Sequence, residues 1–275
     1  MRCTAALMTL FIALPLSAQG GDALAFLRPP REIADPSVES YRPPAYRPVR
    51  AGDVRSSGFL TELHAMPFGR FLGPVSPQLV SSAQTPEIAF PGAVVAVQPP
   101  AGATYKRGDT VMLATLMPAP MGWGTIVVPT GLARIGDQNP RQTLATVLEM
   151  YGPIRAGQVV LPLEPLANPG EVQPVAITGP TGELITSREP RDVAQVGEVF
   201  FANMGRAAGI RLGDFIEVRR HPGPRLNGAD TIDDLMAVAQ VVHVSEKSCT
   251  IKLIRVVDPG LHSGTPVVRV GTLPG

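Results

Sequence analysis

Proline and glycine interrupt this sequence so often that no apolar stretch is long enough for a helical core. The 275 residues include 30 prolines and 28 glycines, well above their usual combined share of about 12%. Short runs rich in Val, Ile, Thr and Leu lie between Gly, Pro and Asp turns, which is typical of half-buried strands. The pattern predicts an all-β fold, although a short helix at 233–239 competes with the strand there. Candidate strands are 94–97, 110–113, 125–128, 144–150, 159–163, 199–202, 215–218, 235–244, 250–257 and 267–270.

The second half of the chain repeats the pattern of the first. Residues 92–109 align with 197–214, and residues 143–160 align with 250–267, with strands and turns in the same order. Five or six short antiparallel strands per copy suit a small barrel, and closure removes exposed strand edges. We therefore predict two tandem, related small β-barrel modules, SH3-like or similar, after a Pro-rich N-terminal segment. Their predicted bounds are 67–164 and 182–271, with a linker at 165–181.

The best-aligned positions are glycines and aspartates that suit turns. Glycine can adopt the positive φ that an abrupt strand start requires. An aspartate after it can accept a hydrogen bond from a backbone N–H two residues on. We therefore predict a structural role, and no catalytic role, for Gly92, Gly108, Asp109, Gly157, Gly197, Gly213, Asp214 and Gly264.

The N-terminus has the layout of a secretory signal peptide. Arg2 precedes an apolar run over residues 5–16, and Ala18-Gln19-Gly20 supplies a small-residue cleavage site. The run is too short for a bilayer-spanning helix of roughly 20 residues, and an uncleaved membrane anchor is the alternative. We predict a signal peptide at 1–20, export to the periplasm or the exterior, and no integral membrane span after cleavage. Cys249 then remains alone, either as a buried thiol or as a partner in an intermolecular bond.

Residues 21–66 form a Pro-rich tether and lead-in, which proline confines to extended conformations. The whole chain has 24 basic and 23 acidic residues, and this balance argues against a nucleic-acid partner. Local positive charge does occur. Arg42 and Arg47 in the tether are candidate contacts for an anionic polymer. Arg219 and Arg220 in the second module are candidate contacts for an anionic glycan or lipid. A plain tether and an ordinary hairpin end are the alternatives.

Trp123 lies between two glycines and is the only tryptophan. Its indole could stack on a sugar ring, or it could cap the core of the first barrel. Both roles remain open from the sequence.

The sequence contains no recognisable catalytic motif. It has no Gly-x-Ser-x-Gly turn, no phosphate-binding glycine loop and no cysteine pair for zinc. The histidines at 64, 221, 243 and 262 are not spaced as metal ligands. We therefore predict a non-enzymatic protein with no catalytic residues, no metal and no cofactor. An enzyme with an unrecognised site is the alternative.

Residues 124–135 (GTIVVPTGLARI) and 146–164 (TVLEMYGPIRAGQVVLPLE) carry a family resemblance. They resemble the β-rich region that exported bacterial proteins carry beside a LysM peptidoglycan-binding module. Residues 209–218 (GIRLGDFIEV) resemble the same region and, more distantly, the C-terminal domain of the flagellar assembly protein T. The LysM module itself is not found in this chain.

The resemblance implies an exported cell-envelope protein whose partner is an envelope protein or peptidoglycan. A scaffold or binding module for another envelope component is the primary expectation. A peptidoglycan- or glycan-binding protein is the first alternative, and an accessory protein of flagellar or appendage assembly is the second.

Overall fold

A computed structural model describes residues 49–75, 88–139, 142–164, 174–220, 223–224, 230–231 and 233–273. The predicted signal peptide, the tether arginines Arg42 and Arg47, and most of the predicted linker lie outside these residues. The first half of the described chain contains α1 (Ala51–Ser57), β1 (Phe59–Leu60), β2 (Gly69–Pro74), β3 (Ile88–Ala89), β4 (Val94–Gln98), β5 (Thr110–Pro118), β6 (Thr125–Asn139), β7 (Gln142–Met150), β8 (Ile154–Arg155) and β9 (Val159–Pro162). The second half contains β10 (Val175–Ala176), β11 (Thr181–Ser187), β12 (Val199–Ala202), a 3-10 helix (Arg206–Ala208), β13 (Phe215–Arg219), β14 (Gly223–Pro224), β15 (Asp230–Thr231), β16 (Leu235–Val244), β17 (Cys249–Val256) and β18 (Pro266–Thr272).

The strands form two closed, six-stranded antiparallel barrels, which confirms the predicted fold class. In the first barrel the ring runs β2-β4-β7-β6-β5-β9 and closes where β9 pairs with β2. In the second it runs β11-β12-β17-β16-β13-β18 and closes where β18 pairs with β11. The two rings have the same connectivity, strand for strand. In each, three consecutive strands form a meander and the last strand returns beside the first of them, as in a Greek key.

The segment 233–239, for which a short helix was the alternative, forms a strand from Leu235 onward. Residues from Leu235 onward pair with both β13 and β17. Seven consecutive side chains of β16 are buried, because one face lines the barrel and the other packs beneath neighbouring segments. A helix at the same place would deprive β13 and β17 of one partner each and open the barrel.

Each barrel uses the same turn three times. In the first barrel the Gly108 N–H donates to the Ile135 carbonyl at 2.8 Å, and the Ile135 N–H donates to the Asp109 carbonyl at 2.8 Å. In the second, Gly213 and Asp214 make the same two bonds to Val241, at 2.9 and 2.8 Å. Equivalent pairs of bonds join Gly92, Gly157, Gly197 and Gly264 to Val147, Phe71, Leu253 and Leu184 respectively. The duplication therefore extends from the sequence to individual backbone hydrogen bonds.

All six glycines of these turns have positive φ, between 84° and 93°. This conformation belongs to the third position of a type II turn and is strained for any residue with a Cβ. The aspartate carboxylates accept from backbone N–H groups that precede them in the chain, whereas the sequence predicted donors that follow them. Each carboxylate accepts from the N–H three residues before it, Lys106 for Asp109 at 2.8 Å and Arg211 for Asp214 at 2.9 Å. The turn therefore has two hydrogen bonds between the same two residues, since the aspartate N–H also donates to the carbonyl of that earlier residue.

Each barrel has its own apolar core. Phe71, Val97, Leu113, Ile154 and Val160 are fully buried in the first core. The second core contains a comparable set, led by Phe200, Ile216, Val241, Ile251 and Leu253, and also Cys249. Burial, with a contribution from the Asp214 charge, raises the pKa of the Cys249 thiol. The thiol is therefore protonated and unreactive at neutral pH.

Candidate functional site

Residues 49–66, here called the connecting segment, contact both barrels. Strand β1 pairs with β6 of the first barrel, and α1 packs against β6, β16 and β17. The Thr250 hydroxyl donates to the Gly58 carbonyl at 2.8 Å, and Lys252 Nζ lies 2.7 Å from Asp53 Oδ1. The described barrels and this segment belong to one compact unit. The connecting segment thus fixes one barrel against the other.

Glu62 of the connecting segment accepts three hydrogen bonds from the second barrel. Its Oε1 accepts from the Lys247 N–H at 2.8 Å, the Ser248 N–H at 2.7 Å and the Ser248 hydroxyl at 2.7 Å. Glu62 and Leu63 have φ of 52° and 65°, a left-handed conformation uncommon for residues other than glycine. The surrounding contacts hold this strained backbone in place. No sequence signal marks this glutamate, because its partners lie far along the chain.

Trp123 lies at the junction of the two barrels. The indole is half-buried against a cluster formed by Leu60, Ile126, Ile185 and Phe201. We call these four residues the inter-barrel cluster, since they come from the connecting segment, the first barrel and the second barrel. The indole caps this shared cluster rather than the separate core of either barrel. Its role as a sugar contact stays a prediction.

The second-module arginines are paired with carboxylates. Arg219 lies 2.6 Å from Glu217 and 2.9 Å from Asp233, and Arg220 pairs with Asp258. These ion pairs neutralise most of the local positive charge predicted from the sequence. Arg219 and Arg220 therefore have less unpaired positive charge available to an anionic glycan or lipid than the sequence predicted.

A polar cleft of about 560 Å³ borders α1 and the first barrel. The Gln158 side chain spans it, donating to the Thr115 hydroxyl at 3.0 Å and accepting from the Thr130 hydroxyl at 2.9 Å. Arg188 reaches in from the second barrel and donates to the Ser56 carbonyl at 2.8 Å. Its buried Nε has no hydrogen-bond partner among the described residues. The cleft thus combines hydroxyl, amide and guanidinium groups from both barrels.

Tyr151 also lines the polar cleft. Its hydroxyl donates to Glu149 at 2.6 Å. Burial and the neighbouring Glu149 carboxylate raise the pKa of this phenol, so the phenol stays neutral at physiological pH. It offers an apolar ring and a polar tip, the combination that suits contact with a polar ligand.

A second, apolar cleft of about 450 Å³ lies between the barrels, on another part of the connecting segment. Its walls include Phe59, Met66, Met112, Leu161, Leu212 and Val242. Glu164, Arg206 and Arg211 also border it, and His243 lines it. Sequence reasoning missed both clefts because their residues come from several separated segments.

His243 is a half-buried titratable group in the wall of the apolar cleft. Its ring stacks on Phe59 with centroids 4.8 Å apart, and its Nδ1 has no hydrogen-bond partner within the described ranges. Burial lowers the pKa of His243, and the nearby Arg206 lowers it further, while the Glu164 and Glu62 charges act in the opposite sense. The imidazole is therefore neutral at physiological pH.

No metal centre is evident among the described residues. In this part of the chain, no group of three His, Cys, Asp or Glu side chains is placed to hold a metal ion. Nor does any helix there have the length and apolarity needed to cross a bilayer. No protein-family model matches the sequence, and no curated protein matches it.

Proposed function

We propose that the chain is an exported, non-enzymatic protein of the bacterial cell envelope that binds another envelope component. The observation that carries this proposal is the fixed relation between the two barrels. Glu62 and the inter-barrel cluster join them, and the two clefts between and beside them are lined by side chains from both. A surface preformed in this way loses little entropy when it binds a partner. The signal-peptide pattern and the family resemblance support the envelope location.

In-cell photo-cross-linking tests this proposal. A photoreactive amino acid replaces Arg155, which lines the polar cleft, and a matched probe replaces Leu72, which is exposed on β2 of the same barrel and lines neither cleft. We expect a discrete cross-linked species in the periplasmic or envelope fraction from the first position only. The same species from both positions, or fractionation with the cytoplasm, would contradict the proposal.

The polar cleft favours a glycan as one such component. Hydroxyl and amide groups around Gln158, the guanidinium of Arg188 and the ring of Tyr151 supply the mixture of polar and apolar contacts that a sugar requires. The appendage-assembly alternative rests on the resemblance alone.

Co-sedimentation of residues 21–275 with purified peptidoglycan tests the glycan alternative. We expect saturable pelleting that Tyr151→Ala reduces and that Phe90→Ala, an exposed aromatic outside the cleft, leaves unchanged. Trp123→Ala is measured beside them. If only Trp123→Ala abolished pelleting while the protein stayed folded, the contact would lie at the indole instead. Absence of pelleting by the wild-type protein would refute direct wall binding.

A further inference from the structure

The apolar cleft takes its walls from the connecting segment and from both barrels. Phe59 and Met66 come from the segment, Leu161 from the first barrel and Val242 from the second. The volume of about 450 Å³ falls within the roughly 300–1,000 Å³ typical of small-molecule sites. Apolar walls around a preformed space favour an apolar ligand, because the ligand loses contact with water when it enters.

One of the cations at the cleft has no carboxylate partner among the described residues. Arg55, Arg206 and Arg211 border the cleft, against the single carboxylate of Glu164. Arg55 and Arg206 lie 3.7 and 3.8 Å from carboxylates on the surface, Glu149 and Glu246. Arg211 makes no ion pair within the described residues, and Glu164 is 83% exposed. Arg211 is therefore the cation at the mouth of the cleft that is available to an anion.

The interior of the cleft contains one unused polar atom. His243 Nδ1 is buried without a hydrogen-bond partner among the residues described, and a buried polar group without a partner is costly. An extended peptide would bring an N–H and a carbonyl for every residue, and the lining strands already use their own backbone groups within the barrels. The chemistry thus favours a ligand with few polar groups.

We propose that the apolar cleft binds a free single-chain anionic amphiphile, such as a fatty acid. The hydrocarbon chain lies against the walls formed by Phe59, Met66 and Leu161. The anionic head lies near Arg211 at the mouth. This site is distinct from the polar cleft, so its failure would leave the proposed function unaffected, and the reverse also holds.

Calorimetric titration with octanoate, decanoate and dodecanoate tests the proposal. The measurement uses residues 21–275 at pH 7.5, with each ligand below its micelle concentration. Each added methylene that enters the cleft raises the affinity about fourfold. We therefore expect a gain of about 15-fold between decanoate and dodecanoate, with one ligand bound per chain. A chain-length series without such a gain would overturn the proposal.

Two substitutions separate the apolar contact from the ionic contact. Leu163→Trp places an indole in the cleft, since the half-buried Leu163 lines it but belongs to neither barrel core. We expect it to reduce dodecanoate affinity at least tenfold. Leu72→Trp makes the same change outside the cleft and should leave the affinity unaltered. Equal binding by these two variants would place the ligand elsewhere.

Arg211→Gln removes the cation without filling the space. We expect it to weaken dodecanoate binding about two- to fivefold, as befits an exposed ion pair, and to leave dodecanol binding unchanged. Lys106 occupies the equivalent turn position in the first barrel, so Lys106→Gln is the matched control. If Arg211→Gln and Lys106→Gln behaved alike, the proposed head-group contact would be wrong.

Flotation with phosphatidylglycerol vesicles distinguishes the free ligand from a lipid within a bilayer. We expect no flotation of the protein with the vesicles. Flotation without binding of the monomeric fatty acid would overturn the proposal in favour of a membrane surface.

Discussion

The equivalent turns Gly108-Asp109 and Gly213-Asp214 provide a matched test of what burial does to a repeated hydrogen bond. Both carboxylates accept from the backbone N–H three residues before them. Asp109 is exposed, whereas Asp214 has no exposed surface. Asp214 also accepts from Thr272 Oγ1 at 2.7 Å and from Arg269 at 3.2 Å. The same turn therefore carries a buried ion pair in only one of the barrels.

Asp214→Ala removes three acceptor contacts and leaves a cation that is 84% buried, since the Arg269 side chain is only 16% exposed. Removing one partner of a buried ion pair costs about 3–5 kcal/mol. At about 2–4 °C per kcal/mol for a chain of this size, the expected fall in Tm is about 6–20 °C. Asp109→Ala removes one exposed acceptor and should cost about 1 kcal/mol.

Urea denaturation of the two variants, followed by circular dichroism, measures this difference. The double variant Asp214→Ala/Arg269→Met should recover part of the lost stability, because it also removes the unpaired charge. Costs within 1 kcal/mol of each other for Asp214→Ala and Asp109→Ala would refute the argument from burial. A double variant less stable than Asp214→Ala alone would show that Arg269 contributes through its other contacts.

Three further predictions concern the connecting segment and the barrels. Glu62→Ala should lower the free energy of unfolding by about 2–4 kcal/mol, because it leaves the buried Ser248 hydroxyl and N–H without their acceptor; urea denaturation checks this, and a cost below 1 kcal/mol would contradict it. Burial lowers the pKa of His243, so below about pH 6.5 the unfolded chain binds a proton that the folded chain does not. Stability should fall by up to about 1.4 kcal/mol per pH unit there, and melts at pH 7.5 and 5.5 should show a smaller fall in His243→Phe. Gly58→Ala should destabilise far more than Gly157→Ala in thermal melts, since its Cβ would lie against the Val127 carbonyl oxygen whereas Gly157 has open space around it; equal losses would show that the positive φ alone sets the cost.

Local signals in the sequence were sufficient for the fold class. The spacing of apolar runs between Gly-containing turns depends on neighbouring residues only, and it identified most of the barrel strands. Some bounds were too short. The strand predicted at 125–128 continues as β6 to Asn139, because the barrel pairs it first with β5 and then with β7. That change of partner depends on tertiary structure, so no local pattern in the sequence marks it.

The functional surfaces were less predictable. Trp123 and Arg219 stood out by residue type, yet the structure gives each a partner within the protein. Conversely, Glu62 and Gln158 are common polar residues whose importance comes from contacts with distant parts of the chain. Composition marks unusual residues, whereas a binding surface depends on which residues the fold brings together.

The sequence by itself determined that this protein is built from two copies of one small β-barrel. The repeated glycines require positive φ at fixed positions, and that requirement is local. Only the tertiary structure decided how the copies are joined. It also decided that Asp214 is buried while Asp109 is exposed, and that two clefts form beside the connecting segment. These features depend on contacts between residues far apart in the chain, where the sequence alone sets no geometry.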